Sequence, residues 1–216
     1  MIRAVLFDLD GTFADTAADL ARALNTMRAR RRLAALPLVQ LRHHASSGAR
    51  GMLLAGFDLT PADPQYVAMR DEFHDTYADA LCVESRWFDG IAEVVTQLEQ
   101  RGLKWGIVTN KAARFTDPLV LALDIHSRAA CVVCGDTTPN AKPHPAPLLH
   151  AADLIGVAPG NCFYVGDDKR DIDAANAAGM IGVAACYGYL GTDSDVNTWK
   201  AAHRIDSPRE LIALLD

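Results

Sequence analysis

The chain has 216 residues, half of them hydrophobic, and carries 21 basic against 27 acidic residues for a formal charge of −6. That length and composition allow a sizeable core without disulfides or a structural metal, as one large domain or one domain with an insertion. The acidic balance argues against a nucleic-acid partner and requires any anionic substrate to be captured by local cations.

No apolar run reaches membrane-spanning length, and the stretch from Arg3 to Asp8 is too brief for a signal peptide. A soluble, cytoplasmic protein with no membrane partner is expected. Five cysteines at 82, 131, 134, 162 and 186 form no secreted framework, and the lone Cys131-x-x-Cys134 lies in an apolar string that reads as buried strand.

In chain order, residues 2–7 form the first predicted strand. Residues 15–87 then read as a helical insertion, with Leu20, Leu24 and Met27 on one stripe, Asp15 or Thr16 capping the helix, and Pro37, Pro61 and Pro64 punctuating the segments beyond it. The basic run Arg28, Arg30, Arg31 and Arg32 falls at a helix end, where cations oppose the dipole. His43 and His44 read as a solvent-facing pair without a third metal ligand. Ile91, Val94, Val95 and Leu98 mark an amphipathic helix ended by Gly102. Further strands are expected at 105–108, 131–133, 162–165 and 181–185, with a helix from near Arg170 to Gly179. Such alternation predicts an α/β fold with a parallel sheet.

Asp8 and Asp10 end the first strand and, two residues apart in extended chain, project to one side. In open α/β sheets the ligand crevice lies beyond the carboxyl ends of the strands, and Gly11 permits the sharp exit there. Two close carboxylates need a proton or cation between them. Alone, the pair reads equally as turn or cap aspartates. Thr109 and Asn110 end the second core strand with a hydroxyl and an amide able to donate to phosphoryl oxygens, though a threonine there is ordinarily an N-cap. Lys142 follows the third strand across a polar loop and is by itself an ordinary exposed lysine. The run from Gly166 through Asp167, Asp168, Lys169 and Arg170 to Asp171 offers hard oxygen ligands suited to Mg²⁺, or an acidic first helical turn.

Four strand ends supplying Asp-x-Asp, Thr, Lys and Gly-Asp-x-x-x-Asp, in that order, resemble the motifs of the haloacid dehalogenase superfamily of phosphohydrolases, over essentially the whole chain. The resemblance implies a Rossmann-like core over 1–14 and 88–216 with an α-helical cap domain over 15–87. It implies Asp8 as the nucleophile that forms an aspartyl-phosphate, Asp10 as the acid and later base, and Thr109 and Lys142 as phosphoryl-binding and charge-stabilising groups. Mg²⁺ is then held by Asp8, the backbone carbonyl of Asp10, and Asp167. Asp171 is an outer or alternate carboxylate, Asp168 is the runner-up ligand, and Asn110 assists with substrate.

The loop of Ser46, Ser47, Gly48, Ala49, Arg50 and Gly51 resembles the cap loops of phosphoglycolate and N-acetylmuramic acid 6-phosphate phosphatases, with Arg50 expected on a substrate carboxylate. Residues 85–90 and Tyr187-Gly188-Tyr189 are similar to the muramic branch, whereas Phe13-Ala14 departs from the family's bulky aliphatic pair. The expected partner is a small phosphomonoester, in a monomer or homodimer. A sugar phosphomutase and a non-catalytic phosphometabolite-binding regulator remain open readings of the same motifs.

Overall fold

Residue alternation along the first strand, β1 (Ala4–Phe7), sends Val5 and Phe7 to one face and Ala4 and Leu6 to the other, and all four are fully or almost fully buried. A strand covered on both faces is the mark of a parallel sheet between helical layers. The computed structural model describes residues 1–191 and 195–215. Along the chain β1 is followed by β2 (Ala14–Asp15), α1 (Ala17–Arg30), α2 (Leu38–Leu41), a 3₁₀ turn (Arg42–Ser47), α3 (Gly48–Phe57), α4 (Tyr66–Ala78) and β3 (Arg86–Trp87). Next come α5 (Ile91–Gln100), β4 (Lys104–Val108), α6 (Ala113–Ala122), β5 (Val132–Val133), α7 (Ala146–Ile155) and β6 (Cys162–Gly166). The chain then runs through α8 (Lys169–Ala178), β7 (Ile181–Ala185), β8 (His203–Ile205) and α9 (Glu210–Ala213).

The six-stranded sheet has the order β5-β4-β1-β6-β7-β8, with every pairing parallel. The chain leaves β1 toward β4 and β5 on one side and returns to β6 on the other, so β1 sits at the topological switch point, with the crevice beyond its carboxyl end. Ile91, Val94, Val95 and Leu98 of α5 pack with Val5 and Phe7 on one face. On the other, α7 and α8 cover Ala4, Leu6 and Tyr164. Cys131 and Cys134 flank β5 as buried free thiols, and burial pushes the Cys131 thiol up to about 11. No described helix is long and apolar enough to cross a membrane.

Helices α1 to α4 lie between β2 and β3, which pair antiparallel with Ala14 opposite Trp87 and Asp15 opposite Arg86. Their shared apolar centre includes Leu20, Leu24, Met27, Phe73 and Tyr77 and is closed by Phe115 and Tyr189 from the sheet side. Buried Asp19 fastens this layer to the returning chain, accepting backbone N–H bonds from Val83, Glu84 and Ser85.

The start of α1 corrects an expectation. Neither Asp15 nor Thr16 caps it with its side chain; the Tyr189 hydroxyl accepts from the Thr16 and Ala17 amides at 2.7 and 2.9 Å, freeing Thr16 to donate to Asp10. The β2–β3 ribbon and β8 have no counterpart among the expected strands, because two-residue strands carry no periodicity and two of the three β8 residues are exposed and polar.

Phe13 explains the departure at the Phe13-Ala14 pair. Its buried ring stacks on Trp105 at 5.3 Å and meets Trp87 and Phe7 edge-on at 5.0 and 5.5 Å, joining the sheet to the ribbon. Phe13→Ala should destabilise the protein by about 3–5 kcal/mol in guanidinium unfolding; a loss below about 1 kcal/mol would show that the ring is not a structural joint.

Candidate active site

Asp8, one residue beyond β1, and Asp167, one beyond β6, stand at adjacent strand ends, and Asp171 rises from the first turn of α8. Each offers a carboxylate oxygen, and the three oxygens lie within 4.8 Å of one another. The buried Lys142 ammonium donates to Asp171 Oδ1 at 2.7 Å, the Tyr164 hydroxyl at 2.8 Å and the Val108 carbonyl at 3.0 Å. Its three protons are then spent. Asp8 Oδ1 lies 2.9 Å from the same nitrogen as an ion pair and, although buried, receives no hydrogen bond.

Three carboxylates against one ammonium leave an excess of negative charge where water is scarce. Burial, followed by the charges of Asp171 and Asp10 and against the pull of Lys142, lifts Asp8 to about 7. Burial also lifts Asp167 well above the carboxylate range, aided by Asp8 and Asp171 and opposed by bonds from Tyr189 and Thr12. Burial works against the Lys142 charge, but Asp171 and Asp8 outweigh it and hold the ammonium firmly protonated. An uncompensated, oxygen-only cluster with one unbonded buried oxygen suits a small divalent cation.

The surroundings fix the cluster. Thr12 donates to Asp167 Oδ1 at 2.9 Å and the Tyr189 amide donates to Oδ2 at 2.8 Å. Gly11 has φ +86°, and a Cβ there would meet Asp167 Oδ2 at 2.3 Å; one on Gly188 would meet the Asp167 Cβ at 2.3 Å. Asp167 is thus held in a slot that only hydrogen atoms can line.

Asp10 stands apart from the cluster, its carboxylate gripped by Thr16 and by Lys111 Nζ at 3.0 and 3.1 Å. Lys111 is buried at its side chain, and the Asp10 and Tyr77 groups overcome burial to keep it charged. Thr109 is buried on the cavity wall, where its Oγ1 accepts from the Lys111 amide at 3.1 Å.

Asp168 is not available in the way a ligand would be. Its carboxylate caps α8 through the Arg170 amide and grips the Arg170 guanidinium at 2.8 and 2.9 Å; against burial, those bonds hold it below the usual range. Asn110 lines the cavity too, and its amide clamps the Lys142 backbone in both directions at 2.9 Å. Ser47, Gly48 and Arg50 line the same cavity, of about 380 Å³, as Asp8 and Lys142. His43 is exposed, with its Nδ1 2.9 Å from the Tyr189 carbonyl.

Sequence reasoning passes over Lys111 and Tyr164, and assigns no site contact to Thr12, Thr16 or Tyr189. Lys111 carries a signal, since it directly follows Thr109-Asn110 at a strand end that faces the crevice. Most of the hydroxyls carry none, because partners such as Asp167 for Thr12 and Asp15 for Tyr189 lie 155 and 174 residues away.

A parallel sheet flanked by helices, with a buried carboxylate cluster and a lysine at its switch point, places the chain among the α/β proteins with a strand-end site. The chain belongs to the haloacid dehalogenase-like hydrolase family, whose model matches residues 5–185, and is a phosphatase of that family. It is 40% identical over 215 residues to the N-acetylmuramic acid 6-phosphate phosphatase of Pseudomonas aeruginosa, covering 100% of this chain and 95% of that one. It is 44% identical over 209 residues to a phosphoglycolate phosphatase of Xanthomonas campestris pv. campestris, covering 97% and 94%. The crystal structure of a predicted phosphoglycolate phosphatase from Haemophilus somnus superposes with a TM-score of 0.85 at 25% identity, covering 100% and 98%.

The slot around Asp167 yields a test. Gly188→Ala should leave a folded protein whose phosphatase activity drops by about tenfold or more, since a displacement of roughly 1 Å at a reacting centre costs that much or more. Unchanged turnover would show that Asp167 tolerates movement.

Proposed function

We propose that the protein hydrolyses the phosphomonoester of a small carboxylate-bearing metabolite, 2-phosphoglycolate or N-acetylmuramic acid 6-phosphate, through an aspartyl-phosphate on Asp8. The observation that carries this reading is the meeting of Asp8, Lys142, Asp167 and Asp171 at the switch point, with Asp10 two residues on and facing the same cavity.

An Asp8 carboxylate oxygen attacks phosphorus as the bond from phosphorus to the ester oxygen breaks, and Asp10 gives that oxygen its proton. Asp10 then takes a proton from water, whose oxygen attacks the same phosphorus and returns Asp8 to a free carboxylate with release of inorganic phosphate. One acid/base serves both steps in opposite directions, and Thr16 and Lys111 hold its carboxylate in position. Thr109 addresses the phosphoryl oxygens and Lys142 balances the charge that gathers on them.

Asp8 and Asp167, with Asp171 beside them, would hold Mg²⁺, whose role is to neutralise the phosphoryl oxygens. Helices α1 to α4 act as the cap over residues 15–87, excluding water while the ester is cleaved. Ser46 supports that reading: its carbonyl accepts from Arg170 at 2.9 Å and its hydroxyl lies 3.4 Å from Asp167 Oδ2. The cavity has ample room for a sugar-sized leaving group.

Asp8→Asn should lose roughly a thousandfold or more in phosphate release from both substrates while keeping its fold by circular dichroism. Residual turnover near that of the parent protein would remove Asp8 as the nucleophile. Mg²⁺ at about 100 times its dissociation constant should raise stability by about 2.7 kcal/mol, read as a higher melting temperature. A melting curve indifferent to Mg²⁺ would remove the ion from the cluster.

A further inference from the structure

The catalytic cavity is divided by charge. Its carboxylates, Asp8, Asp10, Asp167, Asp168 and Asp171, all belong to strand ends and the start of α8, whereas the walls formed by α4, α6 and the first turn of α3 contribute His74, Arg114 and Arg50 and, among the described residues, no acid. Of the cavity's cations, Lys142, Lys111 and Arg170 are paired with carboxylates. Arg114 has none among the described residues.

Arg114 is nevertheless held in place. Its guanidinium lies 4.5 Å above the Phe115 ring, and Nη2 donates to His74 Nδ1 at 2.8 Å. The His74 ring in turn packs 5.1 Å from Phe115, which lies 5.6 Å from Tyr77. Since an arginine can only donate, His74 Nδ1 accepts and its proton sits on Nε2. Burial and the neighbouring charges of Arg114 and Arg70 push the His74 pKa down, in keeping with an accepting Nδ1. This bond spends one of the five guanidinium donors.

Tyr77 lines the same cavity from α4, and its hydroxyl is buried with no hydrogen-bond partner among the described residues. Lys111 Nζ lies 4.7 Å from the centre of its ring, close enough for its charge to act on the phenol. A buried hydroxyl left without a partner is a cost that a bound ligand relieves. Arg50 offers charge on the same wall but has no hydrogen bond among the described residues to orient it, so the preorganised fork is that of Arg114.

We propose that Arg114, oriented by His74 and Phe115 and joined by the Tyr77 hydroxyl, forms a subsite that recognises a carboxylate on the leaving group of the substrate. The inference rests on the phosphatase reading above and adds the residues that would set its selectivity. Because His74 and Tyr77 stand on α4 while Arg114 stands on α6, an acid bound there touches both the helical layer and the core.

Two substrate pairs test it: N-acetylmuramic acid 6-phosphate against N-acetylglucosamine 6-phosphate, and 2-phosphoglycolate against ethyl phosphate. Within each pair the partners differ chiefly by the acid. For the better acid, the parent enzyme should show a kcat/KM at least about tenfold above its neutral partner, and Arg114→Met should shrink that ratio to within about threefold, mainly through KM. Tyr77→Phe should lower kcat/KM for the acid while its melting temperature holds or rises, since no protein hydrogen bond is lost.

An acid preference that survives Arg114→Met would overturn the inference, as would equal turnover of acid and neutral esters by the parent enzyme, which leaves the phosphatase reading intact. No phosphate release from any ester would sink that reading and the inference with it. If Arg114→Met does not fold, Arg114→Lys replaces it. A folded Arg114→Lys with undiminished preference, beside a Tyr77→Phe with undiminished kcat/KM, would likewise overturn it.

Discussion

Putting three carboxylates and a single ammonium into one water-poor crevice is the constraint around which the rest of this structure is arranged. Each anion repels the others, and burial removes the solvent that would soften the repulsion. The fold answers with fixed donors: the Tyr189 amide and Thr12 on Asp167, Lys142 on Asp171, and Arg170 on Asp168. What is left over is an oxygen of Asp8 with charge nearby and no hydrogen bond, at the point where a nucleophile would be wanted.

The same economy of partners separates the two aspartates that share a strand end. Asp8 faces the crowded anionic cluster, whereas Asp10 faces its own cation and a hydroxyl. Two chemically identical side chains, two residues apart, thus occupy opposite electrostatic settings. Environments that differ in this way are how a protein assigns distinct roles to like groups. The helical layer takes part as well: Tyr189, which closes its apolar centre, sends its hydroxyl to the start of α1 and its amide to Asp167.

The five principal strands and the helices at Ile91 and near Arg170 are legible in the sequence because both faces of the sheet are buried and apolar runs persist. The order of strand-end motifs also points to the residues that converge, Asp8, Thr109, Lys142 and Asp167. Dependencies between distant segments are not legible. Lys142 reads as a lysine on a polar loop, yet it is buried because Asn110, 32 residues earlier, clamps its backbone. Tyr187-Gly188-Tyr189 stands out in the sequence without a purpose of its own; the reason lies in contacts with Thr12, Asp167 and Thr16, which neither periodicity nor propensity encodes. The spacing to Asp171 ranks Asp167 ahead of Asp168 in the sequence, but that Asp168 caps α8 through the Arg170 amide and grips its guanidinium is visible only in the structure.

The two-residue strands at Ala14 and Trp87 carry a consequence for how such a molecule diversifies. The chain leaves this ribbon after Asp15 and comes back at Arg86, directly across from it, after about seventy intervening positions. To the sheet, everything between is a graft on a single stem. Such a graft can be lengthened, trimmed or exchanged for another lineage's version while the scaffold that bears the reactive groups keeps its connectivity and its geometry.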